Sequence, residues 1–198
     1  MGYQCVDCVA AGQRDVRPVR GVAGNTVSPT RAVPVVTYTL MGLNVLAFLA
    51  TFAQSRSIMN NQVGSSIFAN WALNPGLVAS GDWFRLIGSG FLHFGILHLA
   101  VNMYALYILG RDTEIVMGRS RYVGIYLVSL LGGSASVMAF QPVFSSLTAL
   151  SWTAGASGAI FGIMGAQAFL LLRLRRSPVP ISSVIAINVI ISISLPGI

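Results

Sequence analysis

Four side chains capable of proton transfer, oxyanion binding or nucleophilic attack lie inside long apolar runs: His93, His98, Asn102 and Ser157. Polar groups placed where a membrane would surround them are costly, so each needs a partner or a task. His98 and Asn102 are four residues apart and share one helical face, stacked a turn above one another. His93 precedes His98 by five residues and falls about 140° round the same helix. Two readings fit the pair: cross-helix hydrogen bonds that hold a bundle together, or donors presented to an internal cavity. Ser157 has a similar choice between bonding the carbonyl four residues back and acting as a nucleophile.

The neighbours of Ser157 narrow this choice only slightly. Gly155-Ala156-Ser157-Gly158-Ala159 is half of a G-x-S-x-G elbow, but its fifth residue is alanine. An apolar helix also replaces the strand–turn–helix that such an elbow requires, so that reading fails. Gly155, Gly158, Gly162 and Gly165 share a stripe about 80° wide on a helical wheel, which would admit a close backbone neighbour. Far upstream, Cys5-x2-Cys8 is half of a four-ligand zinc site with no second pair in the tail. No signal peptide precedes these thiols, so they are expected to stay reduced in the cytoplasm.

The elements that must position these groups are legible in the composition. The 198 residues are 55% hydrophobic and only 9% charged, with a mean hydropathy of +0.75. Soluble domains carry roughly 25% charged residues, so an ordinary soluble enzyme is excluded. All 12 basic residues are arginine, and the net charge is +7. They form no stripe or amphipathic face, so nucleic acid is not expected as a partner. Apolar runs at 35–53, 86–109, 122–140, 154–172 and 181–195 give five candidate spans, the last one short. Arginines fall ten against two on alternate connections, with four in the 1–34 tail. The N-terminus is therefore predicted to be cytoplasmic and the 54–84 connection extracytoplasmic.

Taken in order, four segments resemble the rhomboid family of intramembrane serine proteases. They are Trp83-Phe84-Arg85, His93-x4-His98-x3-Asn102, Gly110-x3-Glu114-x3-Gly118 and Gly155-Ala156-Ser157-Gly158. The resemblance covers roughly 35–198 and departs at Phe84, where the family often has a second tryptophan. It implies an all-α, polytopic, multi-pass bundle in a bacterial plasma membrane, with five spans present and a sixth missing. It also implies a serine endopeptidase without cofactor, whose partners are transmembrane protein substrates and the lipid bilayer. Ser157 would be the nucleophile, and His98, Asn102 and the Ser157 N–H the oxyanion hole. His93 would support the entry region, and Arg85 with its aromatic neighbours would hold the long first loop. Glu114 and nearby arginines would lock the turn after the second span, and Gly155 and Gly158 would let the missing neighbour approach.

The family's general base is a histidine on a sixth helix, after a segment like Ser194-Leu195-Pro196-Gly197-Ile198. The sequence stops there, so a 198-residue polypeptide is expected to be an inactive or nearly inactive fragment. Some bacterial rhomboids carry a zinc module before the first span, and Cys5 and Cys8 resemble its end. Residues 1–34 are thus read as a cytoplasmic tail and 35–198 as the membrane domain. The alternatives are a catalytically inactive relative that binds transmembrane clients, and an unrelated transporter or helix bundle.

Overall fold

The computed structural model describes Cys5, residues 7–8, 33–148 and 152–194, with side chains at all of these except 141–148 and 187–194. Most of the tail read over 1–34, and the closing residues 195–198, lie outside the described residues. Among the described residues from 33 onward, eight helices follow in order: α1 (Val35–Ser55), α2 (Ser66–Trp71), α3 (Pro75–Ala79), α4 (Arg85–Phe91), α5 (Ile96–Met117), α6 (Arg119–Thr148), α7 (Ser157–Arg173) and α8 (Val179–Ser194). Two of them, α1 and the Arg119–Phe140 part of α6, are long and apolar enough to cross a membrane. The 17 residues of α7 are apolar but shorter. The chain is an all-helical, integral membrane protein by this architecture.

The run at 86–109 is not one straight span. It breaks between α4 and α5 with a bend of 93°. Gly95 causes part of the break, because a Cβ there would collide with the Met59 carbonyl. The Ile96 N–H then bonds the Ile58 carbonyl at 3.0 Å, which pins the start of α5 to the connection after α1. His93 consequently sits in the bend, and its predicted place on the same wheel as His98 is overturned. At the other end α5 runs on through the stretch expected to be a loop. It stops at Gly118, whose φ of +85° ends the helix before α6 begins. Similarly, α6 continues past 140 to Thr148.

The core joins α1, α5, α6 and α7 through Phe48, Leu99, Leu106, Tyr122, Tyr126 and Ile163. Outward-facing residues are themselves apolar, among them Leu46, Val101, Val128 and Phe169. That inversion suits a lipid solvent, in which exposed leucine costs nothing. The closest helix pairing is α6 with α7. A Cβ on Gly158 would lie 3.3 Å from the Gly133 Cα, and one on Gly133 would lie 2.9 Å from the Gly158 Cα. Gly162 meets the Ser129 side chain in the same seam. Among the described residues, the neighbour that Gly158 and Gly162 admit is α6, while Gly165 faces open space and Gly155 precedes the helix.

Candidate active site

Ser157 is the first residue of α7, and backbone bonds from distant segments set its position. Thr153 exchanges two hydrogen bonds with Leu73, each 2.9 Å long, and the Gly155 N–H bonds the Ser89 carbonyl at 2.9 Å. The 152–156 segment is therefore stitched to Leu73 in the long connection after α1 and to Ser89 in α4. Gly155 has a φ of +132°, a conformation that side chains resist. Because Ser157 starts its helix, residue 153 is not a helical carbonyl below it, and the back-bonding reading falls away. The hydroxyl makes no hydrogen bond among the described residues and is exposed. Beside it lies a cavity of about 240 Å³ lined by Ser89, Ser134, Thr153, Gly155 and Phe161, among others.

The start of α7 has a further property. Its N-cap, Ala156, has no side chain able to accept a hydrogen bond, and the first intrahelical donor is Ile160 N–H to Ala156 O, 3.0 Å. The N–H groups of residues 157–159 thus have no acceptor within the helix. They give the serine's surroundings the positive end of a helix dipole.

His98 approaches from the first turn of α5. The point that a Gly155 Cβ would occupy is 2.9 Å from His98 Cε1, 3.0 Å from His98 Nε2 and 3.8 Å from Ser157 Oγ. Serine and imidazole thus border the same glycine, whose missing side chain leaves the space beside both of them open. Two rings hold the imidazole. Phe94 stacks on it, with centroids 5.9 Å apart and planes 10° apart, and His93 meets it edge-on at 5.1 Å. His93 is fully buried. Phe94 was not legible as part of the site, since an aromatic residue in an apolar run reads as core.

Asn102 is buried one turn further on, and its Nδ2 donates to the His98 carbonyl at 2.9 Å. No hydrogen bond among the described residues links it to Ser157. Arg85 stands apart from the serine. Its Nη1 donates to the Ala69 and Ala72 carbonyls at 2.8 and 3.0 Å, and its Nε to Asp82 Oδ2 at 2.9 Å. It ties α2, the Ala72 turn and α4 into one unit, with its guanidinium over the Phe84 and Trp152 rings.

Glu114 also lies away from the serine. Its carboxylate accepts from the Val36 and Thr37 N–H groups and the Thr37 hydroxyl, at 3.0, 2.8 and 2.8 Å. Arg119 is 3.8 Å away and 65% exposed, so the main partner of Glu114 is the start of α1 rather than an arginine. Cys5 and Cys8 are exposed free thiols. Hydrogen bonds from the backbone N–H groups of Cys8 and Asp7 hold the Cys5 thiol below its usual range.

Chemically, the arrangement offers an unbonded hydroxyl, an imidazole edge across Gly155 and a helix terminus of free N–H groups. The Rhomboid domain family model matches residues 80–197. The chain is 35% identical over 143 residues to the rhomboid protease GluP of Bacillus subtilis, covering 72% of this chain and 26% of that protein. It is 33% identical over 96 residues to the putative rhomboid protease YdcA of the same organism, covering 48% and 45%. With the rhomboid protease AarA of Providencia stuartii it shares 33% identity over 106 residues, covering 49% and 37%. The chain thus spans between 26% and 45% of the length of these relatives.

Proposed function

Because this chain belongs to the rhomboid family, we propose that it is the serine-bearing part of an intramembrane endopeptidase acting on transmembrane segments. In this reading Ser157 Oγ attacks the substrate's peptide carbonyl. The Ser157 N–H, His98 and Asn102 donate to the oxyanion that forms. The observation that carries it is the shared approach of His98 Nε2 and Ser157 Oγ to the one point above Gly155. Donors fixed before reaction, in surroundings that exclude water, are each worth about 3 kcal/mol at the transition state.

A hydroxyl also needs a base to take its proton. His93 is buried behind His98, and His98 is the oxyanion donor in this reading. Acylation in this reading therefore draws on a base other than these two. His93 and Phe94 act by holding the imidazole, and Arg85 and Glu114 by holding the scaffold. The N-terminus is assigned to the cytoplasm, and a bacterial plasma membrane is the expected location.

Fluorophosphonate labelling of the natural gene product in its membranes tests the reading. Label on the Ser157 peptide, absent in Ser157→Ala, is the expected result. An unlabelled protein that captures a transmembrane client equally well with and without Ser157 would instead be a non-catalytic binder.

A further inference from the structure

The arginine-rich end of the bundle holds a second built feature, well away from Ser157. A groove of about 570 Å³ runs between α6 and α7, with Arg121 and Arg173 both in its lining. Gly124, Ile125, Phe169 and Leu170 supply apolar wall. No atom lies within 4 Å of the place a Gly124 Cβ would take, so the floor is open there. Phe169 is 65% exposed.

The order of these residues matters more than their number. Helix α6 leaves this end of the bundle and α7 returns to it. Arg121 is in the first turn of α6, and Ile125 is one turn deeper. Arg173 is the last residue of α7, and Phe169 is one turn deeper. Each wall therefore runs from guanidinium to apolar surface over one turn, about 5 Å. A free inorganic anion has no use for the deeper half. A molecule with an anionic head and a hydrocarbon tail matches both halves.

We propose that this groove is a binding site for an anionic phospholipid. The two guanidiniums take the phosphate, which suits their planar forks, and an acyl chain lies along Ile125 and Phe169. A choline headgroup would bring its own cation against Arg121 and Arg173, so phosphatidylglycerol is favoured over phosphatidylcholine. Basic pockets between spans are known to hold acidic headgroups in this way. This inference does not depend on the protease reading.

The full-length protein in phosphatidylcholine nanodiscs, with a trace of spin-labelled phosphatidylglycerol or phosphatidylcholine, provides the test. The fraction of each label that is motionally restricted measures its selectivity. Preference for phosphatidylglycerol should fall about fivefold for each guanidinium removed in Arg121→Gln and Arg173→Gln. The lysine variants at both positions should retain most of it. Arg173→Gln alone decides the matter if Arg121→Gln does not fold, since Arg173 is exposed at a helix end. Unchanged selectivity in Arg173→Gln would overturn the proposal. Displacement of the labelled lipid by millimolar inorganic phosphate would also overturn it, by showing a plain anion site.

Discussion

Glu114 grips Thr37 twice: the Thr37 N–H and hydroxyl both donate to Glu114 Oε2 at 2.8 Å, between residues 77 apart in sequence. Pro34 precedes α1 and offers no side-chain cap, so the carboxylate of α5 caps α1 in its place. A carboxylate at a helix start is favoured by both the free N–H groups and the dipole. Both Thr37 and Glu114 are buried, at 0% and 4% exposure, so no water replaces the bond if it is lost.

Glu114→Ala should therefore cost about 3 kcal/mol, the range for losing hydrogen bonds to a buried charge. Thr37→Val removes only the hydroxyl contact and should cost about 1 kcal/mol. Thermal unfolding in detergent, followed by circular dichroism, separates the two. Equal midpoints for wild type and Glu114→Ala would show that α1 is held without this cap.

Gly155→Ala tests the geometry around the serine. The new methyl group would sit about 3 Å from two atoms of the His98 ring, on a backbone whose φ of +132° disfavours any side chain. The strain is of order 1–3 kcal/mol, and His98 must move. Loss of most fluorophosphonate labelling at Ser157, with helical content retained, is the expected outcome. Normal labelling would mean that the space between His98 and Ser157 has no role.

The α6–α7 seam predicts a contrast between adjacent glycines. Gly133→Ala places a methyl group 2.9 Å from the Gly158 Cα, against backbone that cannot yield cheaply. Overpacking of this kind costs about 1–3 kcal/mol. Gly132→Ala meets nothing within 4 Å, so it should be neutral or slightly stabilising, given the better helix propensity of alanine. The difference in unfolding midpoint between these two variants is the measurement. Equal midpoints would show that α6 and α7 do not meet at Gly133.

What the sequence disclosed and what it hid divide along a physical line. The spans that stay straight, such as α1, were legible because an apolar run and a helix of the same length coincide. The break before Ile96 was not, since Phe91-Leu92-His93-Phe94 is as apolar as its surroundings and only Gly95 interrupts it. The relevant collision is with Met59, more than thirty residues away. Glu114 carried a legible oddity, a carboxylate between two glycines. Its partner could not be read, because nothing local points to the start of α1. The pairing of His98 with Ser157 came from the family resemblance and not from spacing, since they belong to different helices. Phe94 and the Thr153–Leu73 stitch, which fix the two sides of that pair, are backbone and ring contacts that no motif marks.

His98 and Asn102 give the sharpest test of the site, because two roles for them make different predictions. As oxyanion donors, each acts only when charge develops, so His98→Ala and Asn102→Ala should lower kcat by about 10²–10³ and leave KM nearly unchanged. As bundle glue, Asn102 would matter through its bond to the His98 carbonyl. Its loss would then lower the unfolding midpoint and leave kcat per folded molecule intact. The Phe94 ring adds a third variant, since it stacks on His98. Phe94→Leu should lower kcat less than His98→Ala does, by loosening the imidazole rather than removing it. Single-turnover cleavage of a transmembrane substrate by the full-length protein, measured alongside the unfolding midpoint, distinguishes these cases. Stability loss in Asn102→Ala with kcat unchanged would remove Asn102 from the oxyanion hole, leaving His98 and the Ser157 N–H as its donors.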